Sequence, residues 1–166
     1  MKRIPTLLLA IFLLFLAVSG ARAQSPPNPL TVKGLHLGMD RGAVKEVYDR
    51  FVRDQVAQRI SMESEDYRDL ITVDNELSSM GNKVELAYDE SGLVTGITFQ
   101  HRAVDILFDA AGEAPEAFVA RFCQDFGLPA MEKKDQGVIV LWTLTDEAAG
   151  FKVSVDNNKN LRIQRL

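Results

Sequence analysis

Four short stretches in the second half of the chain alternate apolar and polar side chains with a period of two, and nothing else in the sequence narrows the fold as much. Val84, Leu86 and Tyr88 alternate with Lys83, Glu85 and Ala87. After Asp89-Glu90-Ser91-Gly92 the pattern resumes at Leu93, Thr95, Ile97 and Phe99. Phe151, Val153 and Val155 repeat it, Asp156-Asn157-Asn158-Lys159-Asn160 turns the chain, and Leu161 with Ile163 closes the set. Successive side chains of a strand point to opposite faces, so each stretch predicts a half-buried strand, paired into two antiparallel hairpins. Val138 to Thr145 is apolar on both sides, with Val138, Val140, Trp142 and Leu144 set against Ile139 and Leu141. That pattern predicts a central strand.

Helical spacing accounts for two further segments. Asp40 is a suitable N-cap for a helix over 41–60, on which Val44, Val47, Tyr48 and Phe51 form one apolar stripe. Ala114-Pro115-Glu116 opens a second helix, with proline in its first turn and a carboxylate at the positive end of the dipole. Phe118, Val119, Phe122 and Phe126 make its stripe, Gly127 stops it, and Pro129 prevents its resumption. Before the first helix, 31–37 reads as a short strand with Val32, Leu35 and Leu37 for burial, broken by Gly38. Between helix and hairpin, 61–69 is polar and carries Glu63, Glu65, Asp66 and Asp69, which reads as a solvated loop or helix end. A short strand over 70–73 and a turn over 78–82 follow.

The halves share this order of elements. Ala43 to Phe51 matches Ala114 to Phe122 at a shift of 71 residues, with the pairs Arg50-Phe51 and Arg121-Phe122 aligned. The hairpins match at a shift of 67, which aligns Asp89 with Asp156. A helix-plus-hairpin unit cannot cover its own apolar face, so repetition has a physical rationale. The expectation is an α+β fold of two similar units, each a helix packed on an antiparallel β-sheet, over 31–102 and 103–166. Phe108, at the joint within Val104-Asp105-Ile106-Leu107-Phe108-Asp109, is placed to pin one unit against the other.

The N-terminus carries an address. Lys2 and Arg3, twelve apolar residues from Leu7 to Val18, and Ala21-Arg22-Ala23 have the three-part layout of a cleaved secretory signal peptide over 1–23. The apolar run is too short for a membrane span, which takes roughly 20 residues. Cleavage leaves 143 residues beginning with a proline-rich leader over 24–30. It also removes Lys2, Arg3 and Arg22, taking the net charge from −4 to −7. Such acidity disfavours nucleic acid and anionic lipid as partners. Cys123 is the only cysteine, so no intramolecular disulfide forms; its place on a helical apolar stripe suits an inert, buried thiol. The protein is expected to be periplasmic or secreted, in a Gram-negative bacterium, with no integral span after cleavage.

Chemistry-bearing patterns are sparse. His36 and His101 are the only histidines, far apart, and His36 alternates with Leu35 and Leu37 as though facing solvent. With one cysteine they make a poor zinc set. No serine lies in a Gly-x-Ser-x-Gly elbow, and Gly34 and Gly38 are not followed by the lysine of a phosphate loop. Asp156 to Asn160 lacks the glycine and glutamate of a calcium loop and is explained by a hairpin turn. Catalytic, cofactor-binding and metal residues are therefore assigned to none of these positions. Trp142, Phe108 and Tyr67 are the aromatics to watch on a binding surface, with core packing preferred for Trp142.

Gly34-Leu35-His36-Leu37-Gly38-Met39-Asp40, followed by a helix bearing Val44 and Val47, resembles the Gly-x-x-x-Gly-Met-Ser/Thr opening of the SmpA/OmlA (BamE-like) family of small envelope lipoproteins. The doubled arrangement resembles that of the secreted beta-lactamase inhibitor proteins. The first family is anchored through a cysteine this chain lacks, and the second carries disulfides it cannot form. What the resemblance implies is a fold and a habit of binding other proteins. The expected function is an exported, non-enzymatic protein–protein binding or accessory module whose partner is another envelope protein, docked on the concave sheet face between the two helical units. The alternatives are a small periplasmic hydrolase using dispersed carboxylates such as Glu63, Asp66 and Asp89, or a small-molecule carrier with a cavity between helices and sheet.

Overall fold

The computed structural model describes residues 29–54, 60–73 and 80–166. The expected signal peptide, most of the leader and residues 78 and 79 of the 78–82 turn lie outside the described residues. Among the described residues, three helices and eight strands follow in the order α1 (Arg41–Asp54), β1 (Ile60–Glu65), β2 (Arg68–Val73), β3 (Lys83–Tyr88), β4 (Val94–Phe99), α2 (His101–Leu107), α3 (Pro115–Asp125), β5 (Glu132–Gln136), β6 (Ile139–Asp146), β7 (Phe151–Asp156) and β8 (Leu161–Arg165). All eight strands belong to one antiparallel sheet of order β1-β2-β3-β4-β8-β7-β6-β5.

That sheet corrects the expected architecture. Two units each packed on a sheet of its own are not what forms. β4 and β8 pair directly, Ile97 with Ile163 and Phe99 with Leu161, so the sheet runs unbroken through the middle of the chain. The reason is burial: strands ending at an internal joint would leave two rows of backbone donors and acceptors without partners. A single cluster of buried side chains spans the six inner strands, from Ile71 and Val84 through Phe99, Leu161 and Val155 to Trp142. Val44 and Val47 of α1, Ala103 and Val104 of α2, and Phe118, Val119 and Phe122 of α3 join the same cluster. The helices therefore share one core with the inward-facing rows of the sheet.

Phe108, just beyond α2, lies at the centre of that core. Its ring meets Phe99 edge-on at 5.5 Å, Phe118 edge-on at 5.7 Å and Phe122 at 6.2 Å. It is buried and is not part of a binding surface. Arg121 holds the neighbouring loop, donating to the Phe108 carbonyl and to both oxygens of Glu113.

Several local expectations change for identifiable reasons. The α1 segment is described as helical only to Asp54, and Ile60 already pairs with Val73 as the first residue of β1. The acidic stretch is thus an edge strand and its turn, not a loop. The segment 31–37 is a tight turn closed by a Val32–Leu35 bridge, with Lys33 and Gly34 both at positive φ. Leu93 and Thr95 do not share the inward face with Ile97. A bulge shifts the register between Ala87 and Tyr88, so Tyr88 pairs with Val94, which is buried. β6 is not central but next to the edge, and Val138 at its start is 90% exposed. Its outer neighbour, β5, has no buried residue and no apolar side chain to announce it.

Candidate functional site

Period-two geometry divides the sheet into the core-facing rows and an outward face. Cross-strand register defines one outward row: Glu63, Leu70, Glu85, Thr98, Arg162, Ser154, Thr143 and Glu132. Leu70 is the aliphatic exception, buried but outside the main core cluster. A parallel row contains Ala87, Gly96, Gln164 and Lys152. Both rows are polar or small, as expected of a sheet whose second face meets solvent.

At the β4–β8 joint this face carries a shallow depression of about 440 Å³, lined by Glu85, Thr98, Gln100, Asn160, Arg162 and Gln164. Its side chains are held in place. Gln100 donates to the Glu85 carboxylate at 2.6 Å, and Asn160 accepts from the His101 amide at 2.9 Å while donating to Asp156 at 2.8 Å. Arg162 and Gln164 project outward and exposed. Charges of both signs therefore line one depression, a surface suited to matching polar groups on a macromolecule.

A second polar cluster lies on the core side, between α1 and the β1–β2 edge. Arg41, Lys45 and Tyr48 fall at helical spacing on α1, facing Met62 and Ser64 of β1 and Asp69 of β2 across a cavity of about 380 Å³. Asp69 is only 1% exposed and accepts a hydrogen bond from the Tyr88 hydroxyl at 2.5 Å. Burial first, then that hydrogen bond and the Asp69 charge, push the Tyr88 phenol well above its ordinary range. The Arg41 guanidinium lies 4.6 Å from the centre of the Tyr88 ring.

The carboxylates considered for hydrolysis are not gathered. Glu63 pairs with Leu70 on the outward face, and Asp66 lies in the β1–β2 turn. Asp89 accepts from the amides of Ser91 and Leu93 within its own hairpin and pairs with Arg165 at 3.3 Å. None of the three lines the Asp69 cavity. Asp156 serves its turn in the same way, accepting from the amides of Asn158 and Asn160.

His36 is half-buried rather than solvent-facing, with Nδ1 2.8 Å from the Leu37 carbonyl. His101 begins α2 instead of closing a strand, and its ring packs on Gly81. Trp142 is buried, with the Lys133 ammonium 5.4 Å from its ring centre, and Tyr67 is exposed in the β1–β2 turn. Cys123 is buried among apolar groups, which raises its thiol pKa.

Among the described residues, no three His, Cys, Asp or Glu side chains are grouped to hold a metal ion. No described helix is long and apolar enough to cross a membrane. No protein-family model matches the chain, and no curated protein matches it in sequence.

The Asp69 cluster is hard to see in the sequence because 61–69 reads there as a solvated loop or helix end. The legible signal was Met62 alternating with Glu63 and Ser64 opposite Leu70-Ile71, a hairpin pattern with a weak apolar component.

Proposed function

We propose that this chain is an exported, non-enzymatic binding or accessory module of the bacterial envelope, and that it docks another envelope protein on the outward face of its sheet. The observation that carries this reading is that face itself. It crosses the β4–β8 joint and presents Glu85, Thr98, Gln100, Arg162 and Gln164 around one depression. Strands anchored by an undivided core change shape little on association, so a partner meets preordered groups and loses less ordering entropy. The signal-peptide pattern of residues 1–23 and the resemblance of residues 34–40 to the SmpA/OmlA opening support the location and the habit.

Site-specific photocrosslinking in the native envelope tests it. A crosslinker at Thr98 or Arg162 is expected to capture one recurrent protein partner, and Arg162→Glu to abolish capture while leaving the circular dichroism spectrum unchanged. Capture that recurs only from positions on the helical side, or that survives Arg162→Glu undiminished, would overturn the assignment.

A further inference from the structure

The Asp69 cavity leaves two buried polar atoms incomplete, one on each of two adjacent side chains. Tyr88 satisfies Oδ2 of Asp69, but Oδ1 has no hydrogen-bond partner among the described residues, and neither does Nε of Arg41. The nearest Arg41 nitrogen stands 3.8 Å from Oδ1, beyond hydrogen-bond reach. That nitrogen is committed elsewhere, donating to the backbone carbonyls of Glu65 and of Asp66. A buried carboxylate oxygen without a donor is costly, as is a buried guanidinium N–H without an acceptor.

The chemistry of the two atoms selects what completes them. Oδ1 needs a donor and Nε needs an acceptor, and a hydroxyl group is both at once. An anion would satisfy Arg41 but face the Asp69 charge, and an ammonium would reverse the problem. Lys45 adds no free positive charge, since its ammonium is paired with Asp49 at 2.9 Å. The rest of the lining is the Tyr48 ring, the Met62 thioether and the Ser64 hydroxyl, an apolar flank beside a polar edge. A volume of about 380 Å³ lies within the range of small-ligand pockets.

We propose that this cavity binds a neutral sugar or closely related polyol. One hydroxyl bridges Asp69 Oδ1 and Arg41 Nε, a second reaches Ser64, and the C–H face of the ring lies on Tyr48 and Met62. Both unpartnered atoms are shielded from solvent as the side chains stand, so binding requires the Arg41 side chain, 40% exposed and held by two carbonyls at the β1–β2 turn, to shift. This site is independent of the outward face, and binding there does not require the protein-docking reading.

Amide and arginine side-chain NMR of the exported, processed protein provides the test, with glucose and N-acetylglucosamine as probes and glucosamine and glucose 6-phosphate as charged controls. Saturable shifts at millimolar neutral sugar are expected, confined to α1 and the β1–β2 hairpin and including the Arg41 Nε–H. Asp69→Asn should weaken binding by about tenfold or more, because it replaces one carboxyl oxygen with an amide donor. Ser64 is exposed, so Ser64→Trp fills the cavity without disturbing the core and should abolish binding even if Asp69→Asn fails to fold. The absence of saturable shifts would mean that water alone completes the pair, which overturns the proposal. It is equally overturned by shifts that persist in Ser64→Trp, or by tighter binding of either charged control.

Discussion

At the scale of single residues, the decisive feature is a charge buried by design of its neighbours. Asp69 sits one position before the apolar run Leu70-Ile71, and register places it opposite Leu86 in the core-facing rows. Its carboxyl group accepts from the Tyr88 hydroxyl and lies near the Arg41 guanidinium. Tyr88→Phe leaves that carboxylate with one partner fewer and is expected to lower stability by about 1–3 kcal/mol, measured by urea denaturation at neutral pH. The phenol's raised pKa carries its own consequence. In the unfolded chain Tyr88 ionises near pH 10, whereas the folded chain resists ionisation. Stability contributed by the protonated phenol is therefore complete below about pH 10 and declines as the pH rises through the folded value. Part of that alkaline decline should vanish in Tyr88→Phe when midpoints are compared across the range, and an unchanged slope would contradict the linkage. Cys123 belongs at this scale too. Burial raises its pKa, so a thiol reagent should react slowly with the native protein and at once when it is unfolded.

At the scale of elements, legibility followed burial. β3, β7 and β8 were readable because alternate residues of each are buried: Val84, Leu86 and Tyr88, then Phe151, Val153 and Val155, then Leu161 and Ile163. α3 was readable for the same reason, and Gly127 ends it at φ +63° as a left-handed terminator must. β1 and β5 were not readable. They are the two edges of the sheet, where charged side chains discourage pairing with other chains, so β5 offers only Glu132, Lys133, Lys134, Asp135 and Gln136. Their strand character comes from hydrogen bonds to β2 and β6, which a side-chain pattern does not record. α2 was missed because it is only seven residues long. The residue just beyond it nonetheless matters: Phe108→Ala removes a ring that touches Phe99, Phe118 and Phe122 and should cost about 3–5 kcal/mol, read as a fall in the thermal or urea midpoint. A loss below about 1 kcal/mol would show that the core closes over the gap.

At the scale of the whole molecule, the continuity of the sheet replaces the image of two modules. With β4 bonded to β8 and one core beneath the six inner strands, unfolding is expected to be a single cooperative event. Trp142 in β6 reports one end of the sheet, and far-ultraviolet circular dichroism reports all of it. The two urea transitions should coincide, and a separated pair would argue for independent halves. Sequence by itself determined the alternating faces of β3, β7 and β8, the stripes of α1 and α3 and the lone buried thiol, because each depends on neighbours within a turn or a strand. Only the tertiary structure decided that β4 meets β8, that the acidic stretch is an edge strand, and that Asp69, Arg41 and Tyr88 converge on one cavity. Those outcomes depend on backbone pairing and on contacts between residues far apart in the chain, where local periodicity carries no information about which partner will be found.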